Sequence, residues 1–408
     1  MKKRIGIIGF GEMGKRHGLE FREATQGLIE LAGVVEPDDA MYRRGCEWNN
    51  MQPPRYASVG ELLAKASLDG ALITSPNHTH NQNLREFKGL EIPVLVEKPL
   101  DTNVESVAEL VRFAASYKGK IIVDHVMRYA PIIRRARQLV EEGKLGRLAS
   151  FQFEHREECG PFHTFRRTRK TGGGQMIEKA THDLDVMLYL FDSTPKRVSM
   201  IARQQSCGGD KPNDLHCPAC GERLTCPSAH WGSNTDTEGL KDIARSNDLC
   251  VHAKEMDVAD NEVSLIELSS GAFGTYSQSF FCHMNGHSRI YKVLGAEGAM
   301  CVTLSAEDPG YRGLIHYYPR DRSGEQEVFS YEYFNKIHYN GGPYVARHFL
   351  DLMRGAETTP FTTVNQAFVA EALGFAAMKS ADEEQQFVKV EAVVPDDLKQ
   401  VYASTYKN

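Results

Sequence analysis

Three groups of residues in this chain have types and spacings that suit chemistry. Gly9-Phe10-Gly11-Glu12-Met13-Gly14 follows the pattern G-x-G-x-x-G at the end of a short apolar run. In that pattern the first glycine permits a tight turn, the second lets a pyrophosphate reach the backbone, and the third lets helix and strand pack closely. Free N–H groups at the start of the helix that follows bind the phosphate. Glu36 closes the next apolar run, roughly 20 residues on, where an acidic side chain suits the adenosine ribose hydroxyls and repels the extra phosphate of NADP. NAD is therefore the expected cofactor, with NADP left open by Arg43 and Arg44 just downstream.

The second group is Glu178, His182 and Asp185, at i, i+4 and i+7 of a helix predicted over 176–191. Ile177, Ala180, Leu184, Met187, Leu188 and Phe191 form the apolar stripe of that helix. A histidine beside a carboxylate on a cleft-facing surface is oriented by it and expected to have a raised pKa. Lys98 follows a fourth apolar run, where loops at strand ends line the ligand crevice of a parallel sheet. A lysine there can donate to a substrate hydroxyl and help remove its proton.

The third group is Cys207, Cys217, Cys220 and Cys226, spaced C-x9-C-x2-C-x5-C, with Cys250 further on as an alternative ligand. The Cys217-Pro218-Ala219-Cys220 knuckle suits two thiolates on one tetrahedral metal, so a structural zinc held by four of these five is expected. An iron–sulfur cluster is the alternative. A segment this poor in apolar residues would gain order from either.

The elements that must position these groups alternate along the N-terminal part. Arg4–Gly9, Leu31–Glu36, Gly70–Thr74, Ile92–Glu97 and Ile121–Asp124 are short apolar runs separated by helical stretches, one of them over 104–116. That pattern predicts a parallel sheet with right-handed crossovers, an α/β Rossmann domain over 1–127. After an arginine-rich helix from Ile132 to Gly143 the reading changes. Segments 147–154, 263–268 and 288–294 alternate polar and apolar, which predicts an open, mainly antiparallel sheet in an α+β domain over 128–408. Segment 203–255 reads as an insertion, and helices over about 342–354 and 364–380 close the chain.

With Glu97-Lys98-Pro99 a wider pattern is complete. The chain resembles the Gfo/Idh/MocA family, the glucose-fructose oxidoreductase and inositol dehydrogenase group. The resemblance rests on the first glycines, Ser75-Pro76-Asn77-His78-Thr79-His80 and Glu97-Lys98-Pro99, then Arg128-Tyr129, Gly172-Gly173-Gly174 and the run from Glu178 through His182 to Asp185. It covers nearly the whole chain apart from about 203–255. It implies that Lys98, Glu178 and His182 form the catalytic group, and that Ser75, Pro76, Asn77, His80, Glu97 and Lys98 line the cofactor. It further implies that Arg128, Tyr129, Arg166, Asp185 and His338 reach the substrate, and that the Lys-Pro bond is cis. The expected reaction is hydride transfer between nicotinamide and a hydroxyl-bearing carbon of a sugar, inositol or sugar-acid derivative. A glycosidase or epimerase acting by transient oxidation, and a non-catalytic nicotinamide-binding sensor, are the alternatives. Family habit implies a homo-oligomer, a dimer or tetramer.

Composition limits the partners. The 408 residues are 41% hydrophobic and 25% charged, with a formal net charge of -6. That balance gives no reason to expect nucleic acid or an anionic membrane. No uncharged apolar run approaches the roughly 18 residues of a membrane-spanning helix. Met1-Lys2-Lys3-Arg4 is followed by a stretch too short and glycine-broken for a secretory leader, so a cytoplasmic protein with reduced thiols is expected.

Overall fold

The structure is a computed structural model that describes residues 2–230, 248–282, 286–305, 312–321, 326–332 and 338–406. Its first half alternates strand and helix: β1 (Lys3–Ile8), α1 (Glu12–Ala24), β2 (Ile29–Val35), α2 (Asp39–Asn49), β3 (Arg55–Tyr56) and α3 (Val59–Lys65). Then come β4 (Gly70–Ile73), α4 (His80–Arg85), β5 (Val94–Val96), α5 (Val104–Ser116) and β6 (Ile121–Val123). The strands form one parallel sheet in the order β3-β2-β1-β4-β5-β6. They are apolar on both faces because helices cover both sides of such a sheet. The chain order reverses between β1 and β4, which opens a crevice beyond the carboxyl ends of those two strands. The two-residue edge strand β3 was too short to leave a periodic signal.

After α6 (Pro131–Glu141) the second sheet is built from nine strands: β7 (Leu148–Arg156), β8 (Pro195–Arg203), β9 (Asn261–Leu268), β10 (Phe273–Ser279) and β11 (Ser288–Gly295), then β12 (Gly298–Ser305), β13 (Arg312–Pro319), β14 (Glu327–Glu332) and β15 (Val388–Lys389). Their order is β14-β13-β12-β11-β7-β10-β9-β8-β15. Every neighbouring pair is antiparallel except β7 with β10, which is parallel. Burial alternates along β9, so one face of the sheet is covered and the other open.

Helices pack on the sheet's inner face and back against the first domain. Three lie between β7 and β8: α7 (Arg169–Gly172), α8 (Gln175–Glu178) and α9 (Ala180–Phe191). Three more follow β14: α10 (Gly342–Arg354), α11 (Val364–Asp382) and α12 (Lys399–Ser404). The longest, α11, starts in a capping box of Thr363 and Gln366 and packs against β8, α9 and α5, so it ties the two sheets together. The helix α10 returns to α1, and Phe349 and Met353 fill the space left by Gly70.

The single helix expected over 176–191 is two. The carbonyl of Glu178 accepts from Lys98 Nζ at 2.5 Å, and the His182 N–H turns to Lys179 O instead, at 3.2 Å. One lysine thus takes the acceptor that would have continued the helical ladder, and α8 and α9 meet at Lys179 with φ -111°.

Candidate functional site

The crevice continues into a cavity of about 1130 Å³ between the two sheets. Its first wall is the turn after β1. Gly9 has φ +88°, and a Cβ there would stand 2.6 Å from the Ser75 backbone. A Cβ on Gly14 would meet Gly9 O at 2.0 Å, whereas one on Gly11 would meet nothing within 4 Å. The turn is thus closed behind and open in front, as a cradle for a pyrophosphate must be. Thr74 Oγ1 donates to Gly9 O at 2.5 Å and fixes the turn to the end of β4. Glu12, Met13, Ser75, Pro76 and Asn77 line the cavity beside it. Glu36 lines it too, accepting N–H bonds from Phe10 at 2.8 Å and Asp38 at 3.0 Å, whereas Arg43 and Arg44 are not on its wall.

Lys98 stands at the centre, after β5, with a cis bond to Pro99. Behind it Glu371, buried in α11, accepts the Leu100 N–H at 2.6 Å. Burial lowers the Lys98 pKa, and the charges of Lys179 and Arg166 add to this against Glu178 and Glu97. Glu178 is fully surrounded: Asn77 donates to Oε2 at 2.5 Å, Arg166 Nε lies 2.6 Å from Oε1, and Lys98 Nζ 3.7 Å from it. Burial pushes the Glu178 carboxyl up, but Arg166, Lys98, Lys179 and Asn77 outweigh it and hold the group below its ordinary value.

His182 differs from expectation. Its pKa lies well below the usual imidazole value, first through burial and then through Lys98, His338, Arg289 and His125. Asp185, one of the two carboxylates placed on its face, is spent elsewhere: both its oxygens accept from Arg128, at 2.6 and 2.7 Å, in a pair sealed from solvent. His182 is therefore a neutral base whose buried Nδ1 has no hydrogen-bond partner among the described residues. His338 stands beside it, ring centroids 5.3 Å apart, and is held to about 3 by burial, Lys98, Arg289 and His17 against Glu97.

Under Lys98 lies a buried triad. His17 Nε2 sits 2.8 Å from Glu97 and 3.1 Å from Asp124. Burial opposes charge on His17, but the two carboxylates raise it well above normal, and Glu97 falls to about 2 in spite of its own burial. His17 lies with Gly14, Gly18 and Phe21 on the buried stripe of α1, a polar residue in an apolar series and the one sequence signal that would have found it.

The far wall comes from the second sheet. Glu157, His287, Arg289 and Tyr339 line the cavity, with Thr164, Phe165, Arg166 and Lys179. Lys179 pairs with Glu157 at 3.1 Å. Asp183, fully buried, accepts from Arg289 Nε at 2.9 Å and Tyr276 at 3.0 Å, and from Tyr291. It aims Arg289 at the cleft. None of Glu157, Asp183, His287 or Arg289 was expected from the sequence.

A family model described as oxidoreductase family, NAD-binding Rossmann fold matches residues 3–125, and the GFO/IDH/MocA C-terminal domain matches 133–301. The chain belongs to the Gfo/Idh/MocA family. Among family members of known name, the rhizopine catabolism protein MocA of Rhizobium meliloti is 27% identical over 211 residues, 52% of this chain and 64% of that protein. Inositol 2-dehydrogenase of Corynebacterium glutamicum (strain R) is 29% identical over 47% of this chain and 54% of that one. These alignments span less than two thirds of either relative. In fold, a levoglucosan dehydrogenase solved with NADH and L-sorbose superposes with TM-score 0.73 over 96% of this chain and all of its own, at 16% identity. The WlbA dehydrogenase of Bordetella pertussis, solved with NADH and UDP-GlcNAcA, gives 0.70 at 15% identity, over 95% of this chain and 99% of its own.

Within this Gfo/Idh/MocA chain some expected residues stay behind the walls. The Arg128–Asp185 pair is structural, and Tyr129 is buried with its hydroxyl 3.2 Å from His348. His80 is buried between Pro99 O at 2.7 Å and Ser75 O at 2.8 Å, joining two cleft loops without reaching the cavity. The Phe10 ring packs beneath Gly45, leaving its N–H for Glu36. The thiol spacing does not support the expected zinc. Cys207 packs with Phe162, Val251 and Met256 beside the Cys159 thiol, and no three of the five thiols approach within 4.8 Å among the described residues. Sulfurs on one tetrahedral zinc stand about 3.8 Å apart, given bonds of ~2.3 Å. No helix among the described residues is long and apolar enough to cross a membrane.

Proposed function

We propose that the chain is an NAD-dependent oxidoreductase that moves a hydride between nicotinamide and a hydroxyl-bearing carbon of a sugar, inositol or sugar-acid derivative. The observation that carries this reading is neutral His182 on the wall of the same cavity as Lys98 and the open glycine turn. NAD held by its pyrophosphate at that turn would supply the hydride acceptor. His182 takes the hydroxyl proton, and neutrality fits it for that task. Lys98 donates to the substrate oxygen and stabilises the negative charge that grows on it. Glu178 positions both cations, Lys98 through its carbonyl and Arg166 through its carboxylate. Glu36 accepts ribose hydroxyls and favours NAD over NADP.

Titration of the purified protein with NAD and NADP, followed by assay of polyols, sugars and sugar acids for nicotinamide reduction, tests the reading. Absence of binding by both nucleotides would overturn it. Association of copies is supported by Ile201, Val263, Leu265 and Phe273, apolar and 43–58% exposed on the open face of β8, β9 and β10. A sedimentation experiment giving a monomer would remove that part. Nine free cysteines support a cytoplasmic location, which cell fractionation checks.

A further inference from the structure

The proposed reaction makes no use of the thiols gathered behind the Arg166 loop. Between β8 and β9 the described chain has little regular structure, with one tight turn at Cys217–Ala219 and bridges at Lys211–Ala253 and His216–Leu249. Its own apolar cluster is small. The backbone nevertheless brings four cysteines to one place. Cys220 N–H donates to Cys217 O at 3.1 Å, so the turn carries a thiol at each end. Cys217 N–H donates to Asp248 O at 2.7 Å and Cys250 N–H to Leu215 O at 2.8 Å, which sets Cys250 on the strand paired with Cys217. The Cys250 thiol lies within electrostatic reach of Cys217, Cys220 and Cys226 together.

Hydrogen-bond donors face three of the sulfurs. Backbone N–H groups of His230, Ser228 and His252 donate to the sulfurs of Cys217, Cys226 and Cys250. His163 Nδ1 stands 3.8 Å from Cys217 Sγ, and His252 Nε2 3.8 Å from Cys226 Sγ. Such donors stabilise sulfur-bound metal centres and tune them. Among the described residues no three of these sulfurs lie within 4.8 Å of one another, a wider set than one tetrahedral ion holds and one that a polynuclear centre can bridge. We propose that Cys217, Cys220, Cys226 and Cys250 ligate an iron–sulfur cluster.

The cluster braces the far wall of the cleft. Cys250 O accepts from Arg167 Nη1 at 3.0 Å, and Leu249 N–H donates to His163 O at 3.1 Å. Both bonds clamp the loop whose Thr164, Phe165 and Arg166 line the cavity. That consequence rests on the functional reading above, whereas the metal content does not.

The test is anaerobic purification of the full chain, with iron, acid-labile sulfide and zinc counted per chain and a visible spectrum recorded. Iron and sulfide in equal amounts, two or more of each, with a visible charge-transfer band are expected. One zinc without sulfide, or a metal-free protein that does not take up iron and sulfide on reconstitution, overturns the proposal. Cys220→Ser and Cys226→Ser should lose iron and sulfide, while Cys46→Ser and Cys301→Ser keep them. Where a ligand variant fails to fold, the content of the unmodified chain decides alone.

Discussion

The two walls of the cleft are built on different principles. The cofactor side is made by strand ends that follow one another in sequence: the turn after β1, the loop after β4 and Lys98 after β5. The substrate side draws Glu157, Arg166, Lys179, His287 and Arg289 from β7, the α7 and α8 region and the edge of β11, and holds them by buried ion pairs such as Asp183–Arg289. Backbone geometry makes the first wall and paired charges make the second. A wall of the first kind fails when a side chain is added to its glycines, and one of the second kind when a charge loses its partner.

Variants can sharpen that difference. The largest effect is expected from Lys98→Ala and His182→Ala, each lowering kcat by about 10²–10⁴-fold. NAD affinity should survive in both, because neither builds the glycine turn; full activity in both would place the chemistry elsewhere. Next comes Asp183→Asn, which strands Arg289 in a buried site and should lower stability by about 3–5 kcal/mol. Denaturant unfolding checks the loss, and an unchanged midpoint would show that the second wall does not depend on its ion pairs.

Acid separates the walls by a third route. Burial, with nearby cations, holds His125 and His287 to about 4 and His338 to about 3, below an ordinary histidine. The unfolded chain takes up protons first as pH falls, so stability should decline between about pH 6.5 and 4. A melting temperature constant from pH 7 to 5 would contradict this. Burial also holds His182 well below an ordinary imidazole, so kcat for oxidation should not fall at pH 6.5 for want of the base. The smallest effect belongs to Glu36→Ala, which should narrow the preference for NAD over NADP by about tenfold. Unchanged selectivity in a competition assay would take Glu36 out of nucleotide choice.

How much was legible follows the same division. The Gly9 turn, Ser75 to Asn77, Lys98 and the Glu178–His182 pair could be found because each sits at a strand end or within one short motif. His182 was found with the wrong electrostatics, since helical spacing put Asp185 beside it and could not show Arg128 taking both carboxylate oxygens. Glu157, Asp183, His287 and Arg289 left no local pattern. Each is ordinary in its own segment and meaningful only beside residues 20 to 130 positions away.

By itself the sequence determined the parallel sheet, its phosphate-binding turn and the choice of family, because apolar runs and glycine spacing act over a few residues. Only the tertiary structure decided which charges face each other across the cleft. It made His182 neutral, broke the 176–191 helix at Lys179 through Lys98, and retired Arg128 and Asp185 to the interior. Those outcomes depend on burial and on Coulomb interactions over a few ångströms, and neither is encoded in separation along the chain.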